Sequence, residues 1–206
     1  MKIALLPGLG ADRRMYGPAF DGLADEVLRI DWPSHEGEQT LGDMAERLLA
    51  RGDLADCDAI VGSSLGGMVG SEIVARTQIP HLVLLGSAIH PREVNPLLAG
   101  LAKVRERVPF ELLQRLFGAE PVASRAPLLE MLADSDVALG RAMAGAIFAW
   151  EGREQVRGER HRLHGSWDLI IRAPKSGAEL LPRAGHMISM THEDEVLAFI
   201  RDALSG

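Results

Sequence analysis

The chain has 206 residues, 47% of them hydrophobic and 25% charged, with a formal net charge of −7. That length supports one domain with a sizeable core, and the acidic balance argues against a nucleic-acid partner, which calls for a basic face. A lone cysteine, Cys57, excludes an intramolecular disulfide and points to a reducing compartment, read here as the cytoplasm.

"MKIALLPGLG" carries one lysine and an apolar run too short for a secretory leader, so residues 2–8 are predicted as a first strand. Further strands are expected at 27–33, 58–64, 81–88, 161–171 and 178–186. The runs up to residue 88 are continuously apolar rather than alternating, as in strands covered on both faces, and the last two are less cleanly so. Helices are expected between them. "TLGDMAERLLARG" (40–52) has Thr40 as N-cap, Asp43 three residues on and a Leu/Met stripe. "GGMVGSEIVART" (66–77) is a second. "THEDEVLAFIRDAL" (191–204) has Thr191 as cap, acids in its first turn, and Val196, Leu197, Phe199 and Ile200 as its buried face.

Alternating strands and helices predict an α/β fold, a three-layer sandwich around a mostly parallel sheet of about six strands. Residues 91–158 break the alternation. They carry Leu, Ala, Met and Arg at helical spacing and read as an insertion of three or four helices, splitting a core of 1–90 and 159–206. No run approaches the ~18 apolar residues of a membrane span, and the sequence leaves the oligomeric state open.

"DAIVGSSLGG" (58–67) contains Gly62-Ser63-Ser64-Leu65-Gly66, a G-x-S-x-G pattern between a strand and a helix. Two readings fit it: a turn of small residues, or a nucleophile elbow that displays Ser64 above the sheet. A serine needs a base. Of the seven histidines, His186 in "LPRAGHMISM" is best placed, after the last strand and before the last helix. An imidazole needs an acid to fix its tautomer; Asp168 in "LHGSWDLII" leads, with Glu93 in reserve. The two N–H groups of an oxyanion hole are expected from Leu65, directly after the nucleophile, and from Leu9 in the glycine-rich loop after the first strand. That loop fails G-x-G-x-x-G at its last position, so a dinucleotide cradle is not expected. Histidines 161 and 164 lie three apart on one strand and face opposite sides, which argues against metal ligation by that pair; His81, at a strand start, reads as structural. No metal ligand and no cofactor are expected.

These pieces together resemble the α/β-hydrolase superfamily. "LLPGLGADRRMY" (5–16) is similar to its oxyanion loop, "GSSLGG" (62–67) to its nucleophile elbow, "HGSWDLII" (164–171) to its acid loop, and "RAGHMISMTHEDEVLAFI" (183–200) to its histidine loop and last helix. "DWPSHEGEQTLGDMAERL" (31–48) resembles the loop after its second parallel strand. Ser34 and Glu36 stand there in place of glycines, and Pro7 replaces a frequent histidine in the oxyanion loop. The family's first antiparallel hairpin is expected to be missing. The resemblance implies a cap domain at 91–158, a Ser64-Asp168-His186 triad, and an acyl-enzyme mechanism on a small or medium carboxylic ester or thioester. Arg13, Tyr16, His90, Met143 and Trp150 are the candidate substrate contacts. Other readings are a non-hydrolytic or C–C bond-cleaving member of the fold, or a ligand-binding protein.

Overall fold

The structure, a computed structural model, describes residues 1–54, 56–96 and 122–205. Six strands form one sheet: β1 (Lys2–Leu6), β2 (Glu26–Arg29), β3 (Ala59–Ser63), β4 (His81–Leu85), β5 (Glu159–Gly165) and β6 (Glu179–Leu181). Their order is β2-β1-β3-β4-β5-β6 and every pairing is parallel. Among the described residues, no antiparallel strand joins the sheet.

The apolar runs of the central strands β1, β3 and β4 are continuous because each of these strands feeds two cores. In β1, Ala4 and Leu6 enter one core while Ile3 and Leu5 enter the other. In β4, Leu82 and Leu84 go with the first, Val83 and Leu85 with the second. Each fully buried Leu, Ile or Val here contributes roughly 1.5–3 kcal/mol relative to exposure, so neither face can be left to solvent.

The first face is covered by α1 (Leu41–Ala50) and α2 (Leu65–Arg76), through Leu41, Met44, Leu48, Met68, Val69 and Ile73. Thr40 makes the expected capping box: its hydroxyl accepts from Asp43 N, and the Asp43 carboxylate accepts from Thr40 N. The other face is covered by a 3-10 turn at Pro18–Leu23 and by the last helix, which buries Val196, Leu197 and Ile200; Phe199 is only partly buried.

That last helix departs from the expected start. Its chain is broken into a short α5 (Ile188–Thr191) and α6 (Glu193–Leu204), with His192 between them as an N-cap that makes no side-chain capping bond. Thr191 is not the cap. Its hydroxyl donates back to Met187 O at 3.0 Å, which satisfies α5 instead.

The crossover from β4 to β5 holds α3 (Val122–Asp134) and α4 (Val137–Ala149). The helices expected within 97–121 lie outside the described residues. Asp136 caps α4 by accepting from Ala138 N at 2.8 Å and Leu139 N at 3.2 Å. The far end of α4 is fastened to α2 by Glu72, which is 2% exposed. Glu72 accepts from Trp150 Nε1 at 2.7 Å and Arg153 Nη2 at 2.9 Å, and also pairs with Arg76.

Candidate active site

Ser64 links the end of β3 to the start of α2 with φ 51° and ψ −117°. A non-glycine residue in this region is strained by roughly 1–3 kcal/mol and persists only if its surroundings over-determine it. They do so here. Ser64 N donates to Leu85 O at 3.1 Å, and Ser64 O accepts from Ser87 Oγ at 2.6 Å and from Gly67 N at 3.1 Å. The two pattern glycines are sterically required. A Cβ on Gly62 would lie 2.4 Å from the carbonyl of Gly66, and one on Gly66 would lie 2.2 Å from Leu6 O. The Ser64 hydroxyl does not cap its own helix.

The histidine and the acid come from the chain on either side of β6. His186 Nδ1 lies 2.7 Å from Asp168 Oδ2. The other Asp168 oxygen accepts from Ile170 N at 2.8 Å and Ile171 N at 2.9 Å. Both side chains are buried. The two loops meet backbone to backbone, since a Cβ on Gly165 would lie 2.0 Å from Gly185 O. His186 is packed against Gly86, where a Cβ would come 2.9 Å from its carbonyl and 3.7 Å from its Nδ1. Leu85 and Ser87, the neighbours of Gly86, are the residues that hold the Ser64 backbone. Elbow and histidine loop thus share one support.

The sequence alone gives His164, Ser63 and Ser189 no role in this assembly. His164 Nε2 donates to Ile171 O at 2.9 Å and lies 3.2 Å from Asp168 Oδ2, so two imidazoles face one carboxylate. Burial pushes the Asp168 carboxyl up, but the charge of His186 and the hydrogen bonds from both histidines outweigh it and hold the group well below the usual carboxylate range. Ser63, 2% exposed, lies with its Oγ 2.5 Å from Ser189 Oγ and ties the histidine loop to the elbow. No local signal marks Ser189, because its partner is 126 residues away.

The expected oxyanion donors lie on one cavity. Leu9 and Leu65 both line a space of about 190 Å³ bounded also by Trp32, Pro33, Met131 and Leu139. The loop after β1 runs over the elbow: a Cβ on Gly8 would sit 3.7 Å from Ser64 Cβ. Asp12, Asp31, Asp134 and Asp136 line the same cavity; Ser64, Asp168 and His186 are not among its described lining residues. Arg14 bridges Asp12 at 2.6 Å and Asp134 at 2.7 Å, joining this loop to α3.

The candidate substrate contacts lie elsewhere. Arg13 is exposed and pairs with Asp31 at 3.4 Å. Tyr16 is buried beneath the elbow, where its hydroxyl donates to Leu6 O at 2.7 Å, accepts from Ser63 N at 3.2 Å and lies 3.1 Å from Ser63 Oγ. Burial raises its phenol well above the ordinary value. His90 accepts from Arg92 N at 3.0 Å at the start of a 3-10 turn. Met143 and Trp150 are core residues of α4 and its end. The reserve acid, Glu93, is engaged by Arg162 at 2.8 Å. Cys57 is buried, and burial pushes its thiol up to about 11, which keeps it in the unreactive protonated form.

A parallel sheet with a strained serine between strand and helix, and a histidine–aspartate pair beyond the strands' C-terminal ends, is the frame of an α/β hydrolase. The sequence profile of the alpha/beta hydrolase family matches residues 3–199, and the chain belongs to that family. No curated protein sequence matches it. Among solved structures, it is similar to the enol-lactonase from Burkholderia xenovorans LB400, with a TM-score of 0.78, 22% identity, and 99% of this chain and 91% of that chain covered. It is also similar to a thermophilic esterase from Thermogutta terrifontis, with a TM-score of 0.67, 18% identity, and 98% and 88% coverage. The RedJ thioesterase of the prodiginine pathway in Streptomyces coelicolor gives a TM-score of 0.69, 16% identity, and 99% and 90% coverage. Among the described residues, no helix is long and apolar enough to cross a membrane.

Proposed function

We propose that the protein is a serine hydrolase that cleaves a small carboxylic ester or thioester through an acyl-enzyme. The observation that carries this reading is the strained Ser64, held with a hydroxyl that caps nothing, on the same support as the His186–Asp168 pair.

In this mechanism Ser64 Oγ attacks the acyl carbon while His186 Nε2 takes its proton. Asp168 holds the proton on Nδ1, which leaves the Nε2 lone pair free to act as base, and stabilises the imidazolium that forms. The N–H groups of Leu9 and Leu65 receive the oxyanion. The tetrahedral intermediate collapses, His186 returns the proton to the leaving alcohol or thiol, and the acyl group stays on Ser64. A water then attacks the acyl carbon, giving its proton to His186. Collapse releases the acid and restores Ser64.

The walls of the cavity suggest the substrate. Trp32, Pro33, Met131 and Leu139 give it apolar walls, and about 190 Å³ is below the ~300 Å³ typical of drug-sized sites. Four aspartates surround it against two partnering arginines, Arg13 and Arg14, and the remaining negative balance disfavours an anionic acyl group. The names of the fold neighbours, an enol-lactonase, an esterase and a thioesterase, all denote reaction at an acyl carbonyl and support the class. Residues 91–158 serve in this reading as a helical cap on a core of 1–90 and 159–206, with Arg14–Asp134 as one of its fastenings.

The test is a fluorophosphonate probe with the adduct mapped by mass spectrometry, beside a panel of acyl esters and thioesters of increasing chain length. Label on Ser64, and loss of turnover in Ser64→Ala, are expected. Folded protein that takes no label at Ser64, or a Ser64→Ala variant that still turns the esters over, refutes the reading.

A further inference from the structure

We propose that His81, Glu159 and His161 form a site for one divalent transition-metal ion of the zinc class, at the end of the sheet opposite the candidate active site. β4 begins at His81 and β5 at Glu159, and the register pairs His81 with Glu159 and Val83 with His161. Residues two apart on a strand share a face, so Glu159 and His161 project together. His81, directly opposite Glu159 in the pairing, projects beside them. Ser64, Asp168 and His186 all follow C-terminal strand ends, so the site is independent of the hydrolase reading.

The donor atoms of the three side chains lie within 4.8 Å of one another. Glu159 Oε2 is 3.5 Å from His161 Nε2 and 3.9 Å from His81 Nδ1. The two rings are 6.5 Å apart and tilted by 30°. Both nitrogens are shielded from solvent, and neither makes a hydrogen bond. A pair of buried imidazole nitrogens aimed at one carboxylate without bonding it is an unfavourable arrangement by itself. It is a natural one around an ion. Donors at the roughly 2.0–2.1 Å of zinc coordination stand about 3.3 Å apart at a tetrahedral angle, close to the two spacings seen.

The backbone beneath the site is held by close contacts. Glu159 N donates to Pro80 O at 2.8 Å, and a Cβ on Gly158 would lie 2.2 Å from that same oxygen. His81 N donates to Asp58 O at 3.3 Å. Two imidazoles and one carboxylate form a borderline donor set that favours zinc over magnesium or calcium. Glu159 is 67% exposed, which leaves solvent to supply a fourth ligand. An ion here ties the starts of β4 and β5 and so closes the long crossover that carries α3 and α4.

Untagged full-length protein is titrated with Zn(II) by calorimetry and with Co(II) by visible absorption. One equivalent is expected, with the strong visible bands of four-coordinate Co(II) and a rise in Tm with Zn(II). His81→Gln, Glu159→Gln and His161→Gln should each weaken binding by more than the roughly 10–100-fold typical of outer-shell changes. His192→Gln should bind as the parent does. The apo Tm of each variant reports its folding separately. Absence of a one-equivalent Zn(II) site, or one that survives in His161→Gln and His81→Gln, overturns the proposal.

Discussion

Exchanging Asp168 for Asn tests the candidate triad at its most constrained atom pair. The carboxylate has four neighbours: Ile170 N and Ile171 N on Oδ1, His186 Nδ1 and His164 Nε2 on Oδ2. The introduced amide has one oxygen and one NH2 group. If the oxygen keeps the two backbone donors, the NH2 faces His186 Nδ1, which must then be the unprotonated nitrogen. The proton moves to Nε2, and the base toward Ser64 is gone. The opposite orientation sets the NH2 against two backbone N–H groups, and each unpaired buried donor costs about 1–3 kcal/mol. The first orientation therefore prevails. The expected loss in kcat is roughly 10⁴-fold, about 5.4 kcal/mol of transition-state stabilisation, with KM little changed. Steady-state hydrolysis of a short p-nitrophenyl ester reads the rate, and circular dichroism confirms that the variant is folded. A folded Asp168→Asn protein within tenfold of the parent in kcat would refute the assignment of Asp168 as the acid.

Three other outcomes follow from the same contacts. Tyr16→Phe strips the partner from Ser63 N and Leu6 O and should lower the unfolding free energy by about 1–3 kcal/mol in urea titration; a KM change without a stability change would return Tyr16 to the substrate wall. Gly66→Ala drives a Cβ to 2.2 Å from Leu6 O, which backbone cannot evade, so a destabilisation of at least ~1–3 kcal/mol and loss of probe labelling at Ser64 are expected. Burial pushes Glu38 up, but the backbone N–H of Glu36 and the guanidinium of Arg47 outweigh it and bring its pKa from 4.5 to about 2. A folded-state value below the unfolded one gives stability that is present above pH 4.5 and is lost as pH falls toward 2. The urea midpoint of Glu38→Gln should therefore fall less steeply over that window than the parent's.

The hydrolase-like plan was legible from short stretches of sequence because its signals are local. Continuous apolar runs announced strands fed into two cores, Thr40 and Asp43 announced a capping box, and G-x-S-x-G is a steric requirement of one sharp turn. Asp168 and His186 could be singled out because each sits just past a strand in a glycine-containing loop. Local signals failed where two packings were open to the same residues. Tyr16, Met143 and Trp150 are amphipathic or apolar side chains that suit a pocket wall or a core equally well; burial and the hydrogen bonds to Ser63 and Glu72 decided it. Glu93 was an available acid until Arg162, 69 residues away, engaged it.

What the sequence determined by itself was the alternation of strands and helices and the residue types held at the turns between them, since backbone preference and hydrophobic period act over a few residues. Register and layer packing decided the rest. They set His164 beside the carboxylate of Asp168, linked Ser63 to Ser189, and brought His81 next to Glu159 and His161 from a strand start nearly eighty positions earlier in the chain. Such neighbours exist only once parallel strands have paired, because parallel pairing joins segments separated by a whole crossover.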